Sequence, residues 1–495
     1  MLLKQFRMKK IILSLAAGAV LGTVPALSSA ATDVNFSGDI IIRPFYRDNQ
    51  RDFDNAAQDQ KKFTSERARL KANIKVDQDI SAVVELMHFR KWGAADPNRV
   101  VDGTPAATTA DDNWMDLNQA YIEVKKLFDT NVTMKVGRQE MAYGDQRLVG
   151  NTNFWATYPF PRAYDALKLS AKYETFDVDA WYATVTERQI SGIQSPLTSS
   201  ATAMNSDRAF TGIWATLKNI PNHTVDLYLL NMDDGGYTAT GGLSTYDTAA
   251  IVPNFGNFPY SVGTANASQT KVHNFGGRLK GKSGNLDYTV ELNKQTGKFG
   301  GDSANIDATG GAAVVGYTMP EAMGLRLSGE YVFASGDDTP ATAGSDHKTF
   351  YQFTPAPHGH LGAQDMVAFQ NIKAWRLGGA FNAKKNLKIS LDYWDFKLDK
   401  SQDYWYGSNG QSTRGNTMAT VLGAAGAEAV LADSDVGNEI DLVANYSYSP
   451  ALSFEAGYSL FNPGSGIKNA AAMLGHTAGK GDSATFAWGM LVLKF

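Results

Sequence analysis

From residue 33 to residue 495 the chain repeats one pattern about eighteen times: roughly ten residues with an apolar side chain at every second position, then a connection. Alternation at period two is the mark of a β-strand, because successive side chains point to opposite faces. Val34, Phe36, Ile40 and Ile42 alternate with Asn35, Ser37, Asp39 and Arg43. Ala68, Leu70, Ala72, Ile74 and Val76 alternate with Arg67, Arg69, Lys71, Asn73 and Lys75. The same holds for Leu286, Tyr288, Val290 and Leu292 against Asp287, Thr289, Glu291 and Asn293, and for Leu387, Ile389, Leu391 and Tyr393 against Lys388, Ser390, Asp392 and Trp394. The segments begin near residues 33, 63, 80, 115, 131, 163, 176, 208, 224, 270, 286, 308, 325, 372, 387, 438, 452 and 484. Beyond the first thirty residues no apolar run approaches the roughly 18 residues that a membrane helix needs.

The connections fall into two alternating classes. Residues 77–79, 126–130, 174–175, 218–222, 281–285, 320–324, 382–386 and 447–451 are short, while 91–113, 143–161, 187–207, 233–269, 334–371, 398–437 and 462–482 are long. An even strand count with short turns at one end and long loops at the other predicts an all-β fold: a transmembrane antiparallel β-barrel of about 18 strands, with short periplasmic turns and long extracellular loops. A secreted solenoid or sandwich would also alternate, but its connections would not sort in this way. The expected partners of the outer face are outer-membrane lipid and lipopolysaccharide.

Both ends of the chain agree with this. Lys4, Arg7, Lys9 and Lys10 precede an apolar run from Ile11 to about Gly22 and the small residues of Ala26 to Ala30, which reads as a secretory signal peptide over 1–30 and a barrel over 31–495. Met8 is an alternative start. At the other end Ala487, Leu491, Leu493 and Phe495 share one face, and a terminal strand closing on Phe resembles the signal read by barrel-assembly machinery. The stretch before the first strand is too short for the plug of a TonB-dependent receptor. Removing residues 1–30 takes away four basic residues and no acid, leaving 42 cations against 50 acids and a net charge of −8. Nucleic-acid binding has no electrostatic footprint on such a chain. There is no cysteine, so disulfides, thiolate chemistry and haem attachment through Cys-x-x-Cys-His are excluded.

If the apolar face meets lipid, the other face lines a lumen and sets selectivity. That places Arg43, Arg67, Arg69, Lys71, Lys75, Lys135, Lys168, Lys172, Arg278, Lys280, Arg326, Arg376 and Lys388 inside, together with Asp39, Glu85, Glu123, Asp287, Glu291, Glu330, Asp392, Glu439, Asp441 and Glu455. Two readings stand side by side. The opposite charges pair and brace a polar wall, or they form a constriction whose field draws in an anion while its acids keep the anion from binding deeply. Arg138 breaks the pattern, since Val132, Met134 and Val136 put it on the lipid face, where a mid-membrane Arg costs about 2–4 kcal/mol. A bulge at Gly137 would turn it inward, and that is the expectation.

Two stretches carry a family resemblance. Gly137-Arg138-Gln139-Glu140-Met141-Ala142-Tyr143-Gly144-Asp145-Gln146-Arg147-Leu148-Val149-Gly150, followed by Trp155, Arg162 and Tyr164 to Leu169, resembles the signature of the alginate-export outer-membrane channel family. Ala334-Ser335-Gly336-Asp337-Asp338, Phe350 to Phe353, His358 to Gly362, Asp365 and Gln370-Asn371-Ile372 resemble the same family. The resemblance implies an eighteen-stranded barrel with an electropositive pore that passes an anionic polysaccharide outward, with periplasmic secretion partners behind it. It also implies pore arginines at Arg138 and Arg147, with Asp145 and Asp165 as their supporting acids; Glu85 and Glu330, placed inside by facing, are the other supporting acids. It points to no gating element.

Other constellations are weaker. His358-Gly359-His360 has no third metal ligand at a recognisable spacing and falls in an expected external loop, and the Asp-Gly clusters at 233–236 and 336–338 are ordinary turn chemistry. No nucleophile, base and orienting group stand out as a catalytic set, and no metal or cofactor is implied. The expected function is a channel for anionic solutes. Export of an alginate-like polysaccharide is the first reading, and an uptake porin for small carboxylates is the alternative.

Overall fold

In the computed structural model, eighteen antiparallel strands close into one barrel. The structure describes residues 33–50, 53–55, 60–92, 100–101, 104–105, 113–151, 162–186, 208–234, 270–299, 304–339, 345–356, 358–408, 433–468 and 481–495. The expected signal peptide, Trp155 and the Asp-Gly cluster from Gly235 onward therefore lie outside the described residues. We number the barrel strands β1 (Asp33–Asp48), β2 (Lys61–Lys75), β3 (Ile80–Lys91), β4 (Asn113–Val124), β5 (Val132–Gln139), β6 (Tyr164–Lys172), β7 (Phe176–Thr186), β8 (Arg208–Leu217), β9 (His223–Asp234), β10 (Thr270–Ser283), β11 (Leu286–Phe299), β12 (Ala304–Met319), β13 (Leu325–Ala334), β14 (Ile372–Lys384), β15 (Leu387–Lys397), β16 (Asp435–Ser447), β17 (Leu452–Pro463) and β18 (Ala484–Lys494). Each begins within four residues of the position read from the alternation.

Every strand pairs with its sequence neighbours, and β1 closes the cylinder on β18 from Asp39↔Lys494 to Asp48↔Thr485. Closure satisfies both edges of the sheet, which is what lets a strand-built wall sit in hydrocarbon. No described helix is long and apolar enough to cross a membrane. Eight connections of two to seven residues sit at one end of the barrel with the start of β1. At the opposite end the connections run from 12 to 37 residues, except the four-residue one at 300–303 between β11 and β12.

The outward side chains form an apolar band. Leu70, Ile122, Leu167, Ile213, Leu292, Leu377 and Leu442 are all exposed on this face. Aromatic residues edge that band. Tyr446 and Phe454 (ring centroids 6.2 Å apart) sit near the short turns, and Trp375 and Tyr393 (5.3 Å) sit toward the loop end, as in the girdles of outer-membrane barrels.

Candidate functional site

Two connections fold back from the loop end into the barrel. Residues 140–151, after β5, and residues 345–371, before β14, bury Met141, Leu148, Val149, Phe350, Phe353, Met366 and Phe369. These pack in one cluster against inward side chains of the wall, among them Trp181, Phe210, Trp214, Leu230, Val332, Phe396 and Phe461. Connection length places both stretches outside, although the resemblance puts Arg147 in the pore. The apolar inward residues on the loop half of the strands explain the difference, because they leave a hydrophobic surface that only an infolded loop can cover.

The two infolded stretches also hold each other. Val149 and Thr354 form a parallel bridge, the Gly150 amide donates to the Thr354 carbonyl at 2.8 Å, the Thr354 amide to Leu148 at 2.9 Å, and the Ala356 amide to Gln146 at 2.9 Å. Arg162 Nη1 donates to the Pro355 carbonyl at 2.7 Å and Tyr164 Oη to Thr354 Oγ1 at 2.8 Å. Gly150 is required here, since a Cβ would lie 2.5 Å from the Ala356 nitrogen. The two motif stretches of the sequence, some two hundred residues apart, are thus one structure that narrows the lumen.

This structure is anchored to the wall by charge. Asp145 accepts from Arg278 of β10 at 2.5 Å, and Arg147 donates to Glu330 of β13 at 2.5 Å with both side chains almost wholly buried. Burial pushes the Asp145 carboxyl up, but the Arg278 guanidinium outweighs it and holds the group below the usual carboxylate range. Tyr143 is raised by burial and by the adjacent Asp179, to which it donates at 2.7 Å. Within the 345–371 stretch, burial lowers His347 to about 4 against the weaker pull of Asp337, and its ring stacks on Phe299 at 4.3 Å. His358 bonds Asp365 at 2.9 Å. It lies in the infolded stretch and not in an external loop. The described residues contain no group of three or more His, Cys, Asp or Glu side chains placed to hold a metal.

The inward cations of the wall form a belt of ion pairs. Arg67 reaches Asp39 at 3.2 Å; Arg69 also contacts Asp39, and lies 3.6 Å from Glu85 and 3.4 Å from Glu140; Lys71 reaches Glu85 at 3.0 Å. Arg376 joins Glu330 at 3.0 Å and Asp392 at 2.5 Å, Arg278 adds Asp226 at 2.8 Å, Arg326 holds Asp287 at 2.6 Å, and Lys168 holds Asp179 at 3.0 Å. Arg43 is buried on the inward face of β1, with Nη2 3.5 Å from the Met490 sulfur. A guanidinium carries five N–H donors, so one fixed by a carboxylate can still donate to a second acceptor.

Arg138 is a correction. The register Ala120↔Arg138 and Arg138↔Asp165 runs without a shift from Ile122↔Val136 and Val136↔Leu167, whose side chains face outward. Gly137 takes φ +119° but inserts no extra residue, so the facing does not invert. Arg138 stays on the outer face, and its cost is relieved by Asp165, 3.2 Å away and itself outward. The pair ties the two stems of the 140–163 connection together, and neither residue lines the lumen.

Two features escaped the sequence reading. Glu140, inside the quoted motif, links the infolded stretch to Arg69 of β2 and receives Asn118 at 3.0 Å. An aromatic stack, Tyr143 on Trp181 (4.8 Å) and on Trp214 (5.1 Å), then Trp214 on Tyr228 (4.0 Å), lines one side. Its only signal was an inward Trp in β7 and another in β8.

Among solved structures the chain is similar to the outer membrane protein OprD of Pseudomonas aeruginosa, at 11% identity over 93% of this chain and 94% of that one with a TM-score of 0.52. It is also similar to OccK9 (OpdG) of the same organism, at 14% identity over 94% and 99% with a TM-score of 0.55. At such identities the likeness concerns the barrel fold. No curated protein sequence matches. The model of the family described as alginate export matches residues 33–480, nearly the whole barrel. With a closed eighteen-stranded wall, a lipid-facing band and a charged lumen, this is an outer-membrane channel, and the chain belongs to the alginate-export family.

Proposed function

We propose that the channel passes anionic solutes and that its cargo is an anionic polysaccharide of the alginate type, moving outward from periplasmic secretion partners. The observation that carries this reading is the ladder of lumen cations at successive positions along the barrel, from Arg326, Lys168 and Arg278 on the wall to Arg147 in the infolded stretch. A polyuronate presents one carboxylate per sugar, so several rungs hold successive carboxylates and hand them on. A small anion engages one or two at a time. We read the site as transport and not catalysis.

Single-channel recording tests this directly. Oligouronates should block the current with residence times that grow with length, and monomeric uronate should block weakly, because each contact adds to a multivalent sum. Equal block by monomer and oligomer would instead support an uptake porin for small carboxylates.

A further inference from the structure

The mid-lumen arginines are held by acids, but the inward lysines near the short-turn end are not. Lys75 ends β2, Lys172 ends β6, Lys280 and Lys282 lie at the end of β10, and Lys388 begins β15. Each continues the inward face of its strand: Lys75 follows Arg67, Arg69 and Lys71, Lys172 follows Lys168, Lys280 follows Arg278, and Lys388 precedes Asp392. All five are exposed, and none is ion-paired among the described residues. Lys75 faces Asp33 across the β1–β2 ladder without an ion pair, and the acids opposite Lys172 and Lys282 are engaged elsewhere. Asp177, opposite Lys172, holds Lys218 at 2.7 Å, and Asp287, opposite Lys282, holds Arg326 at 2.6 Å. Lys388 faces Asn382 and Asn445 across its two ladders. The five are spread around the circumference on four strands, so no single wall explains them.

From this contrast we propose that the short-turn mouth is a capture site for a polyanionic chain, in which these lysines gather carboxylates before they meet the ion-paired belt. The inference rests on the channel passing an anionic polymer. Exposed, mobile ammonium groups at a rim act on encounter more than on retention: they raise the on-rate of an oppositely charged partner and do so less as salt rises. The ion-paired arginines deeper in are screened less by salt and would set residence time instead. The asymmetry also gives the pore a direction. An anionic chain meets unpaired cations from the periplasmic side, and the bracing of infolded loops from the other.

The test is the Lys75→Gln, Lys172→Gln, Lys280→Gln, Lys282→Gln, Lys388→Gln variant in planar bilayers, with an oligouronate added to one side at a time. As the chain has no native cysteine, biotinylated Glu174→Cys in the exposed turn after β6 marks the periplasmic face of each inserted channel. The expected result is a fall of about tenfold in the periplasmic-side blocking rate at low salt, with external-side rate and block duration unchanged, and with the difference vanishing near 1 M salt. An unchanged periplasmic rate, or an equal fall from both sides, would overturn the capture site while leaving the polymer channel standing. Absence of block in the parent channel from either side would remove the polymer reading and the capture site with it. Heat-modifiable migration of the variant on gels establishes that the barrel has assembled.

Discussion

Replacing Arg147 by Met should release the infolded 140–151 stretch while leaving the wall intact. Arg147 and Glu330 lie 2.5 Å apart with side chains 6% and 7% exposed, and breaking so buried a pair by removing one partner costs about 3–5 kcal/mol. Glu330 keeps a second cation, Arg376 at 3.0 Å, so the low end applies and about 3 kcal/mol is expected. At about 1.4 kcal/mol per factor of ten, that loss corresponds to roughly a hundredfold rise in local opening. The amides of Gly150, Thr354 and Ala356, which bond across the two infolded stretches, report it. In detergent, their hydrogen exchange should accelerate by about two orders of magnitude, while amides in the β1–β18 seam keep their protection. If the three amides exchanged at parental rates, Arg147 would not anchor the stretch and the reasoning from burial would fail.

Three further expectations follow from the same geometry. Acidification should loosen the 345–371 stretch: His347 is lowered to about 4 from its ordinary 6.5, so it contributes stability at pH 7 that is lost as the pH falls from about 6.5 towards 4. The loss amounts to roughly 3 kcal/mol and shows as proteolytic cleavage whose onset His347→Phe, retaining the stack on Phe299, moves to lower pH, where the buried His360, lowered to about 3, still titrates. Replacing Arg67, Arg69 and Lys71 by Ser leaves Asp39, Glu85 and Glu140 uncompensated, so the reversal potential in a KCl gradient should shift toward cation preference; an unchanged potential would assign the triad to wall bracing alone. Gly137→Ala places a Cβ 2.3 Å from the Ala120 carbonyl oxygen at a positive φ, and should lower the temperature of the heat-modifiable transition through a loss of about 1–3 kcal/mol; no shift would show that β4 yields at this point.

The strands were legible because a half-buried wall writes its two faces into alternate residues, and all eighteen of them obey that rule closely enough to be located. The infolded loops were not legible from period, since Phe350, Phe353 and Met366 belong to no strand. Only their complement was visible, in inward apolar residues such as Phe210 and Leu230 that a purely aqueous lumen would not tolerate. Charge assignments to the lumen followed from facing, but the pairing of Arg278 with Asp145 joins residues 133 positions apart and needs three dimensions. Arg138 was misplaced because its cost was counted without its partner: Asp165, beside it across the β5–β6 ladder, supplies the outer-face compensation that a bulge was invoked to avoid.

The backbone bridge between Val149 and Thr354 makes the narrow part of the lumen a two-piece keystone. Each stretch meets the hydrogen-bonding needs of the other, so a loop transplanted alone from another barrel would arrive without its counterpart and leave amides and carbonyls orphaned in a dry interior. Changes of cargo should accordingly be inherited, and engineered, by exchanging both stretches together.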